Sequence, residues 1–155
     1  MNKIITLNEI ESINRKSKNV VLVGGFFDIF HIGHLKFLEA AKKKGGLLIV
    51  ALESDQNAKR LKGICRPIHS QTERAKILST LSLVDYVLLL ESVMTDQDYF
   101  ALVKNIKPDI IAVTENDPII EKKRMQAEAV GGKLLIIPKI STPSTTQLAK
   151  LLEID

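Results

Sequence analysis

Two histidines spaced three residues apart are the strongest chemical signal in this chain. His31 and His34 follow Gly24 and Gly25 and enclose Gly33. At the first turn of a helix, residues three apart lie on one side, where free backbone N–H groups and the positive end of the helix dipole point outward. Imidazole N–H groups in this position can donate hydrogen bonds to phosphate oxygens. Incidental histidines are the alternative, but two of the chain's three histidines lie in this turn.

A run of hydroxyl side chains marks a second helix start near the end of the chain. Ser144, Thr145 and Thr146 follow Pro143 and open the last predicted helix. A helix N-cap is one interpretation, because a serine cap contributes about 1 kcal/mol. A phosphate site at the helix N-terminus is the other.

Basic residues are concentrated between the second predicted strand and the following helix. Lys59, Arg60 and Lys62 lie in a polar stretch, residues 53–70, which we predict to be irregular. Both a solvated basic loop and an anion-binding loop fit this pattern. The basic clusters at residues 42–44 and 122–124 are interpreted as solvated helix ends, where cations are favoured.

Alternating apolar segments predict the elements that position these residues. Strands are predicted over residues 20–23, 47–52, 84–90, 109–113 and 134–137, and helices over 6–16, 33–44, 72–81, 96–105, 118–130 and 144–152. Continuous apolar strands alternating with helices indicate an α/β, Rossmann-like parallel sheet with helices on both faces. The prediction is a single domain, 1–155, with an N-terminal helical segment, 1–18, and a core, 19–155. The loops after the first, second, fourth and fifth strands should form the site.

Composition excludes several classes of protein. Hydrophobic residues make up 45% of the 155 residues and charged residues 26%, as in ordinary globular domains. The sequence has no apolar run long enough to cross a bilayer, and its first residues do not resemble a signal peptide. A cytoplasmic protein without membrane contact is therefore expected. A net charge of +4 suits an anionic ligand, but 5% aromatics and no basic stripe do not indicate nucleic-acid binding. Cys65 is the sole cysteine, which excludes an internal disulfide; Cys65 and His69 are assigned no role.

The segment around the two histidines resembles a known signature. His31-Ile32-Gly33-His34 after Gly25-Phe26-Phe27-Asp28 is similar to the HxGH motif of the cytidylyltransferase-like nucleotidyltransferases. Within that superfamily the chain looks most like the adenylyltransferase domain of the ADP-heptose synthesis enzyme. That resemblance covers nearly the whole chain, through Ser54-Asp55, residues 59–63, Arg66-Pro67, Glu73-Arg74, Val84-Asp85 and Ser144-Thr145-Thr146.

The resemblance implies a role for each matched residue. His31 and His34 would contact the triphosphate and stabilise charge on the transferred phosphate, and Lys62 would bind the phosphates. The backbone of Phe26 and Phe27 would also face phosphate. Asp28 would orient the loop or the acceptor, with a turn-capping role as the alternative. The residues expected to contact the nucleotide are Gly25, Phe26, Phe27, Asp28, Gly33, Arg74, Asp117, Ser144, Thr145 and Thr146. For Arg74 a salt bridge within its own helix is the alternative. No protein metal site is expected, because Mg²⁺ would be held by ligand oxygens and water.

The implied activity is transfer of AMP or CMP from ATP or CTP to a sugar or polyol phosphate such as heptose 1-phosphate. Glycerol-3-phosphate cytidylyltransferase, an FAD-synthetase-like adenylyltransferase and a non-catalytic nucleotide-binding module are the alternatives. Phe26 replaces a small residue of the family, and Glu115 and Asn116 replace glycines of the heptose enzymes. Lys139 stands where the glycerol-3-phosphate enzyme has an arginine, which argues against that alternative. Both a monomer and a homodimer remain open.

Overall fold

A computed structural model describes residues 2–141 and 145–153, with only the backbone of Thr145. Its strands are β1 (Ile4–Thr6), β2 (Val20–Gly25), β3 (Leu47–Leu52), β4 (Tyr86–Leu89), β5 (Ile110–Thr114) and β6 (Lys133–Ile137). Its helices are α1 (Ile32–Lys42), α2 (Asp55–Lys62), α3 (Gln71–Thr80), α4 (Asp96–Ile106), α5 (Ile120–Glu128) and α6 (Thr145–Leu151). A 3-10 helix, Leu7–Ser12, follows β1.

The strands form one parallel sheet in the order β1-β4-β3-β2-β5-β6, which confirms the predicted Rossmann-like α/β class. All six residues of β3 are buried. Side chains alternate between two apolar cores, so that Val20 and Leu22 pack on one face and Val21 and Val23 on the other. From β2 the chain proceeds to β3 and β4 on one side and returns to β5 on the other. The strand order therefore reverses between β2 and β5, where open α/β sheets bind ligands.

The N-terminal segment differs from its prediction. Instead of a helix over residues 6–16, the segment contains strand β1, which pairs with β4, and a short 3-10 helix that ends at Ser12. Thr6 is the cap as predicted, since the Glu9 carboxylate accepts from its N–H and its hydroxyl, each at 2.8 Å. Lys16 and Ser17 have left-handed φ angles of 43° and 58°, which a continuing right-handed helix does not allow. The segment is therefore part of the sheet.

The prediction of an irregular stretch over residues 53–70 was wrong, because helix α2 lies within it. The Ser54 hydroxyl accepts from the Asn57 N–H at 3.1 Å and caps the helix. Asp55 lies in the first turn and Lys62 in the last, so the charges complement the helix dipole. Gly63, with a φ of 105°, ends the helix. The helix buries Ala58 as its single apolar side chain, so no apolar stripe marked it in the sequence.

The other predicted helices and strands occur within a few residues of their expected bounds. Buried helix residues such as Leu38, Leu78 and Ile106 cover the two faces of the sheet. Among the described residues, no helix is long and apolar enough to cross a membrane.

Candidate functional site

A pocket of about 360 Å³ opens at the carboxyl ends of β2, β5 and β6. Its size is in the range of small-molecule sites. It lies at the reversal of strand order and draws on the four loops where the sequence predicted a site. The lining residues are Gly24, Gly25, Phe26, Phe27, Asp28, His31, Gly33, His34, Phe37, Lys62, Ala112, Val113, Thr114, Asp117, Lys123, Pro138, Lys139, Ile140 and Thr146.

The backbone at the start of α1 fixes both histidine rings. His31 is the N-cap, and its Nδ1 accepts from the Gly33 N–H at 3.1 Å. The Nδ1 of His34 accepts from the His31 N–H at 3.3 Å. A neutral imidazole carries one proton, so a ring that accepts at Nδ1 carries its proton on Nε2. Each histidine therefore holds one N–H donor, at Nε2, for an acceptor in the pocket.

The surroundings of the histidines keep both rings neutral. Their centroids lie 3.8 Å apart with an interplanar angle of 28°, and His34 also packs against Phe27 and Phe30. Burial lowers the pKa of His31. Burial, helped by the Lys62 charge and by the charge that His31 carries when protonated and opposed by Asp28, lowers the pKa of His34 to about 3. Neutral rings are also what the two Nδ1 acceptor bonds require.

The loop between β2 and α1 is closely packed on itself. A Cβ atom on Gly25 would lie 3.0 Å from the Phe27 ring, so a larger residue would displace that ring. Phe27 is buried and has a left-handed φ of 50°. Gly25, Phe26 and Phe27 all line the pocket, as does Gly33 in the first turn of α1. Their contact with a nucleotide stays a prediction.

Asp28 joins the loop after β2 to the segment before α3, and its role in orienting the loop or the acceptor stays a prediction. Its carboxylate is buried and accepts from the Ile68 and His69 N–H groups at 2.9 and 3.0 Å. Arg66, also buried, donates to it from Nε at 3.0 Å. Burial acts to raise the pKa of Asp28, but these hydrogen bonds and the Arg66 charge together lower it. The Asp28–Arg66 pair thus ties the histidine loop to the segment before α3.

Arg74 does not lie in the pocket, contrary to the predicted nucleotide contact. Its buried guanidinium donates to the carbonyl oxygens of Phe26, Glu53 and His69 and to the carboxylate of Asp55, at 2.6 to 3.0 Å. The salt bridge considered from sequence exists, but with Asp55 of α2 rather than within α3. A residue so fully engaged supports the loops behind the pocket instead of binding a ligand directly.

Lys62 reaches the pocket from the last turn of α2. Its Nζ lies 5.1 Å from the centroid of the Phe26 ring, a cation–π contact. The side chain is exposed overall, but loss of water around the ammonium group lowers its pKa, an effect that Arg66 increases and Asp28 opposes. We call His31, His34 and Lys62 together the histidine wall.

The opposite side of the pocket is formed after β5 and β6. Asp117 and Lys123 form an ion pair of 2.6 Å there, and the other Asp117 oxygen accepts from the Ile119 N–H at 2.9 Å. Lys139 and Thr146 complete what we call the lysine wall. Lys123 was missed in the sequence, because residues 122–124 were interpreted as a solvated helix end. Only Lys123 of that cluster lines the pocket.

Glu115, one of the residues that replace family glycines, has a structural role. Glu115 accepts the Lys139 N–H at 3.0 Å and so joins the loop after β5 to the loop after β6. Ser144 lies outside the described residues, and nothing is stated of the Thr145 side chain. The phosphate role predicted for this motif therefore stays a prediction.

Comparison with known proteins agrees with this architecture. A family profile described as Cytidylyltransferase-like matches residues 22–144. A Bifunctional protein HldE from Aliarcobacter butzleri is 36% identical over 154 residues, which cover 97% of this chain and 31% of that protein. Another from Campylobacter fetus is 41% identical over 109 residues, 70% of this chain and 23% of that protein. The chain thus spans less than a third of the length of these curated relatives.

Solved structures share the fold. A lipopolysaccharide core biosynthesis protein from Thermoplasma volcanium is 28% identical with a TM-score of 0.65, covering 81% of this chain and 99% of that one. A pantoate-beta-alanine ligase from Francisella tularensis, 15% identical with a TM-score of 0.61 over 92% of this chain and 69% of that one, is similar in fold alone. The profile match over most of the chain and the parallel sheet lead to one conclusion: this chain belongs to the cytidylyltransferase-like family of nucleotidyltransferases.

Proposed function

We propose that this protein transfers AMP from ATP to a sugar or polyol phosphate and releases pyrophosphate. The observation that carries the proposal is the pair of neutral histidines at the start of α1. Each accepts a backbone N–H at Nδ1 and so holds an Nε2 donor for the pocket. Preorganised donors of this kind stabilise charge that develops on a transferred phosphate, because they need no rearrangement during the reaction.

The chemistry of the two walls suits different parts of a nucleotide. The histidine wall combines imidazole donors, the Lys62 ammonium group and the N-terminus of α1, all of which suit a triphosphate. The lysine wall contains a carboxylate already paired with an ammonium group, Asp117 with Lys123. That pair suits the uncharged part of a nucleotide, because a carboxylate accepts hydroxyl and amino donors and repels phosphate.

In the proposed reaction, a phosphate oxygen of the acceptor attacks the α-phosphorus of ATP. A bond forms between them while the bond from the α-phosphorus to the bridging oxygen breaks, and pyrophosphate leaves with that oxygen. A phosphate monoester is ionised at neutral pH, so the step requires no general base. His31, His34 and Lys62 would stabilise the charge and hold the groups in line, which is the main contribution of proteins to phosphoryl transfer.

Mg²⁺ is part of this proposal as a partner of the phosphates. Within residues 2–141 and 145–153, no group of three His, Cys, Asp or Glu side chains is placed to hold a metal ion. The pocket carboxylates of Asp28 and Asp117 are engaged by Arg66 and Lys123. A cation held mainly by phosphate oxygens and water fits this donor set, and it would neutralise charge on the leaving pyrophosphate.

The choice of ATP and of a sugar phosphate rests on resemblance. The relatives named above are Bifunctional protein HldE and a lipopolysaccharide core biosynthesis protein. The chain also resembles the adenylyltransferase of ADP-heptose synthesis more than the glycerol-3-phosphate enzyme, whose arginine is replaced by Lys139. Heptose 1-phosphate is therefore our first candidate acceptor.

Pyrophosphate release with a matrix of substrates tests the proposal. ATP and CTP are each supplied with heptose 1-phosphate, glycerol 3-phosphate, flavin mononucleotide and the dephosphorylated form of each. We expect release with ATP and a phosphorylated sugar, and little with a dephosphorylated partner. Faster release with CTP would reverse the choice of nucleotide. Equal rates with dephosphorylated acceptors would refute the phosphate acceptor, and no release with any pair would leave a binding module.

A further inference from the structure

The guanidinium group of Arg74 lies directly behind the loop that carries the proposed phosphate site. Its side chain is fully buried, and its Nη1 donates to the carbonyl oxygen of Phe26 at 2.6 Å. The resemblance implies that the backbone of Phe26 and Phe27 faces the nucleotide phosphates. We propose that Arg74 is the positioning residue for this contact, because its bond to the Phe26 carbonyl sets the orientation of the peptide unit that carries the Phe27 N–H. The inference rests on the proposed function, because it takes the ligand to be a nucleoside triphosphate.

Peptide geometry connects the two groups. The carbonyl of Phe26 and the N–H of Phe27 belong to one peptide unit, and in a trans peptide they point in opposite directions. Because Arg74 binds the carbonyl from behind the loop, the N–H of Phe27 points away from Arg74. Phe26 and Phe27 line the pocket, whereas Arg74 does not. From this arrangement we infer that the N–H of Phe27 is directed into the pocket.

The Phe27 N–H also lacks a protein acceptor within the described part of the chain. Phe27 is 6% exposed, and buried backbone N–H groups are nearly always hydrogen-bonded. Its φ of 50° is a conformation that phenylalanine seldom adopts. Unusual backbone of this kind persists only where its surroundings impose it. A phosphate oxygen is the acceptor that would complete the arrangement.

The remaining bonds of Arg74 explain why arginine is needed. Its other nitrogens donate to the carbonyl oxygens of Glu53 and His69 and to the Asp55 carboxylate. One planar group thereby joins the loop after β2 to the loop after β3, the start of α2 and the start of α3. A lysine has one nitrogen and cannot reproduce this fixed fork. Arg74→Lys therefore keeps the charge but loses the geometry.

Nuclear magnetic resonance of the ¹⁵N-labelled full chain tests the inference, with ATP and Mg²⁺ added in the absence of an acceptor. In the wild-type protein we expect the Phe27 amide proton to shift downfield and to become protected from exchange. In Arg74→Lys that shift should be lost while the ring signals of His31 and His34 still respond. Turnover of Arg74→Lys should fall roughly 10- to 100-fold, which is at or slightly below the loss caused by removing one oxyanion donor. The KM for ATP should change less than turnover does.

Lys76→Arg is the matched control, because it exchanges one cation for the other at an exposed position of the same helix and leaves the bonds of Arg74 intact. It should keep both the Phe27 shift and the turnover. If Arg74→Lys does not fold, the wild-type spectra still decide, since an ATP-saturated protein with an unmoved Phe27 amide overturns the inference. A folded Arg74→Lys with the wild-type shift and turnover also overturns it. A wild-type protein that binds ATP but transfers nothing refutes the proposed function alone.

Discussion

The two walls of the pocket are built in different ways. In the histidine wall, His31 and His34 are held by backbone N–H groups two and three residues away in sequence. In the lysine wall, Asp117 is held by Lys123 of the next helix, and Lys139 is joined through Glu115 across 24 residues. Local backbone geometry therefore sets the first wall, and contacts between separate elements set the second. We expect substitutions in the first to affect the reaction and those in the second to affect binding.

The largest expected effect is that of His34→Asn. The asparagine side chain can still accept the His31 N–H, in the place of Nδ1, but it lacks the Nε2 donor. Turnover should fall by roughly two to three orders of magnitude, the loss seen when one charge-stabilising donor is removed. Steady-state pyrophosphate release measures it. His69→Asn is the control, because His69 does not line the pocket. Near-normal turnover in folded His34→Asn would remove the histidine wall from the chemistry.

Lys62→Met should give the next largest effect. The substitution keeps an apolar stem against the Phe26 ring but removes the ammonium group, which we propose binds phosphate. We expect kcat/KM for the triphosphate to fall roughly 10- to 100-fold, as for a lost charged hydrogen bond. Lys59→Met, one turn earlier in α2 and outside the pocket, should change it little. Equal losses in the two variants would mean that only the net charge matters.

Lys123→Met tests the lysine wall. The substitution leaves the Asp117 carboxylate, which is 15% exposed, without its ion pair. The unpaired carboxylate would then repel the anionic ligand that we propose for this pocket. Calorimetry should show triphosphate affinity weakened roughly 3- to 10-fold, equivalent to about 1 kcal/mol of repulsion, with kcat little changed. The adjacent Lys122 pairs with Asp96 outside the pocket, so Lys122→Met should bind normally. A fall in kcat without a change in affinity would contradict the proposed division between the walls.

A further expected effect is on stability rather than on turnover or affinity. His34 has a pKa of about 3 in the folded protein, below the ordinary value near 6.5, so the unfolded chain binds a proton that the folded chain does not. Stability should therefore fall as pH decreases from about 6.5 toward 3, by at most about 1.4 kcal/mol per pH unit from this group. Thermal unfolding at pH 7.5 and 5 measures it. His34→Asn should lose less Tm on acidification, and parallel losses in both proteins would contradict the assignment.

Much of the fold could be predicted from local patterns. The continuous apolar runs indicated the five main strands, and Thr72 to Leu81 and Asp96 to Asn105 lay close to α3 and α4. Helix α2 was missed because its stability depends on the Ser54 cap and on charge placement instead of an apolar stripe. Strand β1 was missed because three residues are too few to show a strand pattern in the sequence. The segment becomes a strand through its pairing with β4.

The site also combines features that depend on local sequence with features that depend on how helices pack on the sheet. The HxGH segment was recognisable because its geometry is local and all its residues are contiguous. The place of Lys123 in the pocket and the place of Arg74 outside it could not be recognised from the sequence. A lysine in a basic helix, or an arginine after a glutamate, has the same neighbours in sequence whether its side chain lines the pocket or not. Whether such a side chain faces a ligand depends on which way its helix packs on the sheet.

The sequence by itself determined the alternation of strands and helices, the family signature and a turn able to hold two histidines, because each depends on residues within one helical turn or one strand. The tertiary structure alone decided which cations reach the pocket. It buried Arg74 behind the Phe26 carbonyl, paired Asp28 with Arg66 across 38 residues and placed Lys123 against Asp117. These pairings depend on strand order and helix packing, and only these bring the ends of separate elements to one edge of the sheet.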